Sequence, residues 1–519
     1  MQDVVLILIA TGVIGILCTR AVRQLALKLD LVDRPDGHRK IHQKPIPLGG
    51  GVSIYLTTLL VIAGMALLGH SWWSILVARS RDLAGILTSA TLIVLLGAID
   101  DAHGLRGRQK LFGQLMAALV VIANGIVIER VQLFNWVLEL GWLSVPLTLF
   151  WLLGAINALN LLDGIDGLAT SIGMILTAAI AAMASVGGHP EVAVLGVIFV
   201  GAQFGVFRYN FPPASIYLGD AGSMLIGLVL GTLAIQASLK GPGTVLLAAP
   251  MAALAIPIFD SGAAILRRKL AGRSIYSTDR GHLHHVLSER VGSRKALGLI
   301  SLACVFTSVG ALFSAYWRND FVALISVLAL TAVFITTRIF GHSELLLLFA
   351  QLRRFGWSLM EMHGRSPSNS QVAAVHMQGR LPWTLLWQTL TEWADELSLQ
   401  AIRLDVNVPT LHEAYNATWS ASRQSESNRQ WQIRMPLVVA NRPAGYLDIV
   451  GDRDSGSATQ NLERLLDLLD SFEAQMNEIV APPAAVAKTE TNSAETSGVS
   501  AHVLKHGPHG ALRSAKLNP

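Results

Sequence analysis

The stretch NALNLLDGIDGLAT, residues 157–170, joins two long apolar runs and contains two aspartates, Asp163 and Asp166. A glycine follows each aspartate, which favours a turn over a continuous helix, and Asn160 places an amide close by. An aspartate at the centre of a membrane helix costs about 3 kcal/mol on insertion scales. We therefore expect two membrane helices here, with the aspartates in a polar turn at one membrane surface.

The composition of the whole chain is that of a membrane protein. Of the 519 residues, 52% are hydrophobic and only 14% are charged, whereas soluble domains contain roughly 25% charged residues. The mean hydropathy is +0.48. The two cysteines, Cys18 and Cys304, lie inside apolar runs, which predicts buried packing rather than a disulfide framework. The first apolar run has no small-residue cleavage site, so we expect it to remain as a span.

Apolar runs of about 20 residues, the length that crosses a bilayer core, predict the transmembrane helices. Lysine and arginine are concentrated in the loops after the first, third and ninth runs, so the positive-inside rule places the odd-numbered loops in the cytoplasm. The N-terminus is then outside, and the chain after residue 340 is inside. The eleven predicted spans are residues 3–22, 48–69, 83–99, 111–129, 140–158, 170–187, 190–207, 218–239, 244–262, 296–316 and 320–340.

The composition changes after residue 340. One amphipathic helix, LPWTLLWQTLTEWADEL, precedes three strand-like segments, AIRLDVNV, WQIRMPLVV and AGYLDIVG, and NLERLLDLLDSFEAQM reads as a closing helix. The predicted fold class is an all-α polytopic membrane protein of about 11 transmembrane helices with a C-terminal cytoplasmic α+β domain. The predicted division is a membrane core at 1–340, a linker at 341–370, a small soluble domain of unknown role at 371–480 and a disordered tail at 481–519.

The second cytoplasmic loop begins with two adjacent carboxylates. In LLGAIDDAHGLRGRQK, residues 95–110, Asp100 and Asp101 follow an apolar run directly and precede a basic stretch. Adjacent carboxylates suit a magnesium ion that also carries phosphate oxygens, and one of them could act as a general base. The alternative is a solvated helix end whose acids pair with Arg106 or Arg108.

The fourth cytoplasmic loop, RYNFPPASIYLGDAGSMLIG, residues 208–227, places Asp220 between glycines at the entrance to an apolar helix. A helix N-terminus fronted by glycine is an anion site, where an aspartate could bridge a metal ion to phosphate. The alternative is a simple N-cap.

The first cytoplasmic loop, residues 31–51, is basic and contains prolines and three successive glycines. Its cations, Arg39 and Lys44 among them, could hold phosphate. The alternative is a positive-inside anchor without a binding role.

The fifth loop contains STDRGHLHH, which brings His282, His284 and His285 next to Arg280. A zinc site would need a fourth ligand at standard spacing, and the sequence has none there. We therefore expect these imidazoles and Arg280 to contact substrate phosphates or hydroxyls.

Four motifs in this order, LLGAIDDAHG, NALNLLDGIDGL, NFPPASIYLGDAGS and STDRGHLHH, resemble those of the polyprenyl-phosphate N-acetylhexosamine-1-phosphate transferases (glycosyltransferase family 4). The resemblance covers roughly residues 1–340 and is specific, because all four motifs are present together. The Asp-Arg-x-His-x-His-His run is similar to that of the GlcNAc branch, which includes the bacterial undecaprenyl-phosphate GlcNAc-1-phosphate transferases, rather than the muramoyl-peptide branch. The region beyond residue 340 has no part in the resemblance.

The resemblance implies a reaction in which a UDP-N-acetylhexosamine and undecaprenyl phosphate give undecaprenyl-diphosphate sugar and UMP. It also implies Mg²⁺ as cofactor, with Mn²⁺ as a substitute, and a multi-pass protein of the bacterial inner membrane with a cytoplasmic active site. This would be the first membrane step of a cell-surface polysaccharide pathway such as O-antigen, lipopolysaccharide or exopolysaccharide synthesis. The resemblance implies metal binding for Asp220 and Asp101, and catalysis for Asp100 (as base or covalent nucleophile), Asp101, Asp166 and His282. It implies nucleotide and sugar binding for Asn160, Asp163, Asp166, Asn210, Arg280, His282, His284 and His285. Phosphate binding by Lys44 and Arg39 is expected from the charge of the first loop alone.

Other readings stay open at this stage. An ion-coupled transporter would carry acids near the bilayer midplane, whereas these acids lie at the ends of the apolar runs. GalNAc, QuiNAc and FucNAc donors are also compatible with the motifs. We expect no nucleic-acid partner, because the basic residues are explained by membrane topology. A homodimer and a protein partner for the C-terminal domain are left open.

Overall fold

The computed structural model describes the membrane core and most of the sheet that follows it. Arg39, Lys44 and Arg280 lie outside the described residues, as do the predicted linker at 341–370 and tail at 481–519. The structure describes residues 2–34, 45–133, 136–241, 244–246, 248–270, 281–337, 339, 371–378, 383–397, 399–408, 413–421, 430–439, 442–452 and 475–476.

The described chain is mainly helical up to residue 337. The helices are α1 (Gln2–Lys28), α2 (Gly50–Leu67), α3 (Ser71–Val77), α4 (Ser80–His103), α5 (Gly107–Ala123), α6 (Ser144–Leu162), α7 (Leu168–Gly187), α8 (Pro190–Asn210), α9 (Gly219–Ala237), α10 (Ala248–Ala253), α11 (Ala255–Leu270), α12 (Leu283–Val291), α13 (Ser293–Trp317), α14 (Asp320–Thr336) and α15 (Trp383–Glu396). The strands are β1 (Val32–Asp33), β2 (Ile46–Pro47), β3 (Arg130–Leu133), β4 (Trp136–Glu139), β5 (Leu239–Gly241), β6 (Thr244–Leu246), β7 (Gln371–Gln378), β8 (Leu399–Val408), β9 (Glu413–Ser420), β10 (Gln430–Val439) and β11 (Arg442–Asp452).

Eight helices within the described residues are long and apolar enough to cross a membrane. They confirm a multi-pass membrane protein but not the predicted number of about 11 spans. Two of the remaining predicted spans correspond to α5 and α14, which have 17 residues each. The run predicted at 244–262 as one span is divided among β6, α10 and the start of α11.

Helix α9 is the centre of the helical core. In the most apolar 18-residue stretch of α9, 94% of the residues are buried inside the protein, as expected for a helix that is apolar on all sides. It packs against α4, α6 and α7. Gly97 of α4 approaches the backbone of α9 so closely that a Cβ there would clash with Ala221. The N-terminus of α9 therefore lies against the C-terminal part of α4.

A four-stranded sheet of order β4-β3-β6-β5 lies at the other end of these helices. Strand β3 follows the C-terminal end of α5, and β5 follows that of α9. The sequence pattern predicts a loop at 130–139 and places Thr244–Leu246 in the span at 244–262. It does not predict these strands, because segments of three or four residues are too short to show an alternating pattern.

The C-terminal region contains an antiparallel sheet of order β10-β11-β8-β9-β7, with α15 packed against β8 and β9. Trp383, Leu404, Tyr415 and Leu447 belong to its own buried cluster. The predicted amphipathic helix and the three predicted strands are confirmed as α15, β8, β10 and β11. The predicted domain boundaries stay predictions, and most of the predicted closing helix lies outside the described residues.

Candidate active site

Asp101 joins the C-terminal end of α4 to the first turn of α9. Its Oδ1 accepts a hydrogen bond from the Asp220 backbone N–H at 2.7 Å, and its Oδ2 accepts one from the Ala221 N–H at 3.3 Å. These groups belong to the unpaired N–H set at a helix N-terminus, which favours a nearby carboxylate. Gly219 has a φ of +73°, and any side chain there would meet the Asp101 carboxylate. The N-cap residue of α9 is Leu218, so Asp220 is not the N-cap, and its side chain makes other contacts.

Lys110, at the start of α5, binds two of the candidate acids. Its Nζ lies 3.0 Å from Asp100 Oδ2 and 2.5 Å from Asp220 Oδ2. The other oxygen of Asp100 accepts a hydrogen bond from the Leu105 N–H at 2.7 Å. No role for Lys110 was predicted from the sequence, although this residue ends the motif quoted at 95–110. A lysine directly before an apolar run was the available signal.

Asn160, near the end of α6, completes the contacts of Asp220. Its Nδ2 donates to Asp220 Oδ1 at 2.6 Å and to Ser223 Oγ at 2.9 Å. Residues of the second, third and fourth loops therefore meet, with Asp220 at the centre.

The two aspartates of the opening stretch lie in a turn, as predicted. Helix α6 ends at Leu162 and α7 begins at Leu168. Burial raises the pKa of Asp163 to about 8, and the carboxylates of Asp220, Asp101 and Asp166 act in the same direction. Asp166 Oδ2 instead accepts a hydrogen bond from the Ala214 N–H at 2.9 Å, which ties the turn to the loop after α8.

Asn210, the last residue of α8, connects the acidic turn to the loop after α8. It is 2% exposed; its Oδ1 accepts from the Gly167 N–H and from Thr170 Oγ1, and its Nδ2 donates to the Ile216 carbonyl. Its amide is engaged with protein groups on both sides. Asn210 can thus shape a pocket, while direct ligand contact by it stays a prediction.

The histidine run reaches the acidic turn through His284. An added Cβ on Gly164 would collide with the His284 ring at Nε2, so the ring lies directly against the turn. Burial and the neighbouring His285 lower the pKa of His284 to about 3. His282, 4% exposed, is hydrogen-bonded through Nδ1 to Asp260 Oδ2 at 2.9 Å. Asp260 was not predicted as a site residue. The available signal was an acid within the apolar run 244–262.

The carboxylates fit magnesium better than zinc. Among the residues that the structure describes, no group of three or more His, Cys, Asp or Glu side chains is arranged to hold a metal ion. Magnesium needs fewer protein ligands, because one or two carboxylates usually hold it together with substrate phosphates and water. Asp101 and Asp220 are adjacent oxygen donors of that kind.

Comparison with known proteins gives a consistent result. Residues 83–238 match the model of glycosyl transferase family 4. The chain is 31% identical over 319 residues to a probable undecaprenyl-phosphate N-acetylglucosaminyl 1-phosphate transferase of Bacillus subtilis (strain 168), covering 60% of this chain and 86% of that protein. It is 30% identical over 371 residues to a decaprenyl-phosphate N-acetylglucosaminephosphotransferase of Mycolicibacterium smegmatis, covering 65% and 89%. It is 31% identical over 300 residues to the undecaprenyl-phosphate alpha-N-acetylglucosaminyl 1-phosphate transferase of Escherichia coli (strain K12), covering 56% and 78%.

The chain belongs to glycosyl transferase family 4, the polyprenyl-phosphate N-acetylhexosamine-1-phosphate transferases.

Proposed function

We propose that this protein transfers GlcNAc-1-phosphate from UDP-GlcNAc to undecaprenyl phosphate, giving undecaprenyl-diphosphate-GlcNAc and UMP. The observation that carries the proposal is the meeting of Asp100, Asp101, Asp220 and Lys110 at one end of the core. The relatives named above are polyprenyl-phosphate GlcNAc phosphotransferases, which supports GlcNAc as the donor sugar.

The chemistry requires positioning and charge neutralisation. An oxygen of the lipid phosphate attacks the sugar-bearing phosphorus of the UDP-sugar, and the bond from that phosphorus to the oxygen bridging it to UMP breaks. Such transfers depend on in-line alignment and on cations at the crowded oxygens. Lys110 supplies one cation within reach of Asp100 and Asp220.

Asp220 and Asp101 are the residues that would hold Mg²⁺, with Mn²⁺ as a substitute. When bound, the ion would polarise the diphosphate oxygens. Asp100 is proposed to act as the base that takes the proton of the lipid phosphate before it attacks. In the covalent alternative, the Asp100 carboxylate attacks the sugar-bearing phosphorus first and UMP leaves, and the lipid phosphate then attacks the same phosphorus and releases Asp100. Arg39 and Lys44 are proposed to bind that phosphate.

The donor is proposed to lie between the acidic turn and the histidine run. The nucleotide would contact Asn160, Asp163 and Asp166. Asn210 would shape the pocket by holding the turn in place. His282, His284, His285 and Arg280 would bind the sugar and diphosphate, with Asp166 and His282 taking part in catalysis. The contact between His284 and Gly164 supports this arrangement, because it brings the histidine run against the turn.

The proposed location is the bacterial cytoplasmic membrane, with the carboxylates and the C-terminal region on the cytoplasmic side, where UDP-sugars are made. The transporter alternative gains no support, because the carboxylates lie at helix ends and not near the middle of a span. A homodimer and a protein partner of the C-terminal region remain proposals, as does the pathway that uses the product.

The test is reconstitution of the reaction. The purified full chain in detergent is mixed with undecaprenyl phosphate, Mg²⁺ and each of UDP-GlcNAc, UDP-GalNAc, UDP-QuiNAc and UDP-FucNAc, and UMP and lipid-linked sugar are measured together. Both products in equal amounts with UDP-GlcNAc would support the proposal. Both products with another donor would correct the sugar. UMP without glycolipid would indicate hydrolysis, and neither product from folded protein would overturn the transferase assignment.

A further inference from the structure

We propose that Asp260 is a positioning residue that holds the proton of His282 on Nδ1 and leaves His282 Nε2 as the atom presented to the substrates. The inference deepens the proposed function and rests on it.

Asp260 is a carboxylate in an apolar helix with no access to solvent. It is 1% exposed, within a segment of α11 whose neighbours Ile256 and Ala264 are also buried. A buried charge of this kind is costly unless hydrogen bonds compensate it. Asp260 therefore needs strong donors, and the structure gives it two.

The two donors take one oxygen each. Asp260 Oδ1 accepts the Leu283 backbone N–H at 2.6 Å, at the first residue of α12. Asp260 Oδ2 lies 2.9 Å from His282 Nδ1. Since a carboxylate only accepts hydrogen bonds, Nδ1 of His282 must carry a proton. The remaining ring nitrogen, Nε2, is then the atom that accepts from a sugar hydroxyl when the ring is neutral or donates to phosphate when it is charged.

The same carboxylate also lies beside the second imidazole. Asp260 Oδ2 is 3.9 Å from His284 Nδ1, and the rings of His282 and His284 stack with centroids 5.6 Å apart and planes 22° apart. His284 in turn contacts the acidic turn at Gly164. Asp260 thus anchors the end of a ring stack that leads from α11 to the candidate nucleotide pocket.

Carboxylates that bind the distal nitrogen of a functional histidine fix its tautomer and orientation. Asp260→Asn tests this role with almost no change in volume. The amide oxygen can serve only one of the two N–H donors. If it stays on the Leu283 N–H, the amide NH₂ faces His282 Nδ1, which must then become an acceptor, and the ring proton moves to Nε2.

We expect Asp260→Asn to lower kcat at least tenfold. Loss of a carboxylate partner of a functional histidine typically costs about 10–100-fold, and a histidine held in the wrong tautomer can cost about 10⁴-fold. The KM for the UDP-sugar should change less than about threefold, because moving the ring proton from Nδ1 to Nε2 leaves most of the contacts that bind the substrate intact. Asp82→Asn is the matched control. Asp82 accepts a hydrogen bond from Gln236 Nε2 at 3.1 Å, at the opposite end of the core, and its loss should leave kcat unchanged.

A double-mutant cycle separates positioning from a general structural role. If Asp260 acts through His282, Asp260→Asn should lower kcat less than twofold further in a His282→Gln background. Equal losses in both backgrounds, or a kcat like that of the wild type in Asp260→Asn, would overturn the inference. Thermal melting of each variant identifies loss of fold.

A second measurement requires no turnover. Nitrogen-15 NMR of histidine-labelled wild-type protein, with the His282 signals assigned by their loss in His282→Gln, should show a proton on Nδ1 of His282. A bare Nδ1 would contradict the inference. If wild-type protein makes no glycolipid, the proposed function fails, while this measurement still decides the tautomer.

Discussion

Lys110 Nζ lies 2.5 Å from Asp220 Oδ2, although the two residues are 110 positions apart. The contact joins α5 to the first turn of α9, and the same ammonium group reaches Asp100 at 3.0 Å. Three helices thus place one cation between two acids. A phosphate that enters this site would meet Lys110 already held in place, which is the preorganisation that favours transfer of a charged group.

Lys110→Gln should lower kcat by about a hundredfold, because a preorganised charge at a phosphoryl-transfer site contributes about 10²–10³ in rate. The measurement is UMP release at saturating UDP-sugar and lipid. Lys295→Gln, which changes an exposed lysine near the start of α13, should have wild-type activity. A Lys110→Gln enzyme within threefold of the wild type would remove Lys110 from the proposed mechanism.

Asp101→Asn and Asp220→Asn should both abolish magnesium-dependent turnover but differ in stability. Asp101 receives two N–H groups of α9, and an amide can accept only one of them in the same geometry, so Asp101→Asn should lose about 1 kcal/mol. Asp220→Asn should change stability less, because an amide oxygen can still accept from Asn160 and the Lys110 ammonium stays paired with Asp100. Activity titrated with Mg²⁺, together with melting temperatures, measures both effects. Near-normal turnover in either variant would make the metal assignment wrong.

Stability should depend on His284 at acid pH. The pKa of His284 is lowered to about 3 by burial and by His285 and His282, against the opposing effect of Asp260, whereas in the unfolded chain it is about 6.5. Between these values the unfolded state binds a proton that the folded state does not. The stability contributed by neutral His284 is therefore complete above about pH 6.5 and is lost progressively as the pH falls toward 3.

The corresponding measurement compares His284→Gln with the wild type. The melting temperature of the wild type should fall more steeply than that of the variant as the pH is lowered from 7 to 4. His103→Gln, which changes an exposed histidine at the end of α4, should parallel the wild type. Parallel curves for His284→Gln would contradict the argument.

The loops that hold the chemistry could be predicted from the sequence, because acids at the ends of apolar runs are costly and therefore noticeable. Asp100, Asp101 and Asp220 were identified in this way, and the structure brings them together. Lys110 and Asp260 could not be placed, because their significance depends on which helices are neighbours. A lysine beside an apolar run is usually predicted to be a membrane anchor. A single acid inside a long apolar run does not indicate which residue it contacts.

Gly164→Ala should displace His284 from the acidic turn. An added Cβ would collide with Nε2 of a ring that is 1% exposed, and a packed ring cannot move without cost, so we expect a loss of about 1–3 kcal/mol in unfolding free energy. Catalytic activity should fall as well, since the ring stack that includes His282 shifts with His284.

Two comparisons make this prediction specific. Gly154→Ala lies in α6, where an added Cβ meets no atom within 4 Å, so it should be neutral or slightly stabilising, as expected for alanine in a helix. In a His284→Ala background the collision is absent, and Gly164→Ala should then change the unfolding free energy by less than about 0.5 kcal/mol, as is usual for a substitution that meets no packed neighbour. If the substitution costs the same with and without the His284 ring, the ring does not pack against the turn, and the histidine run cannot reach the donor site in the way proposed.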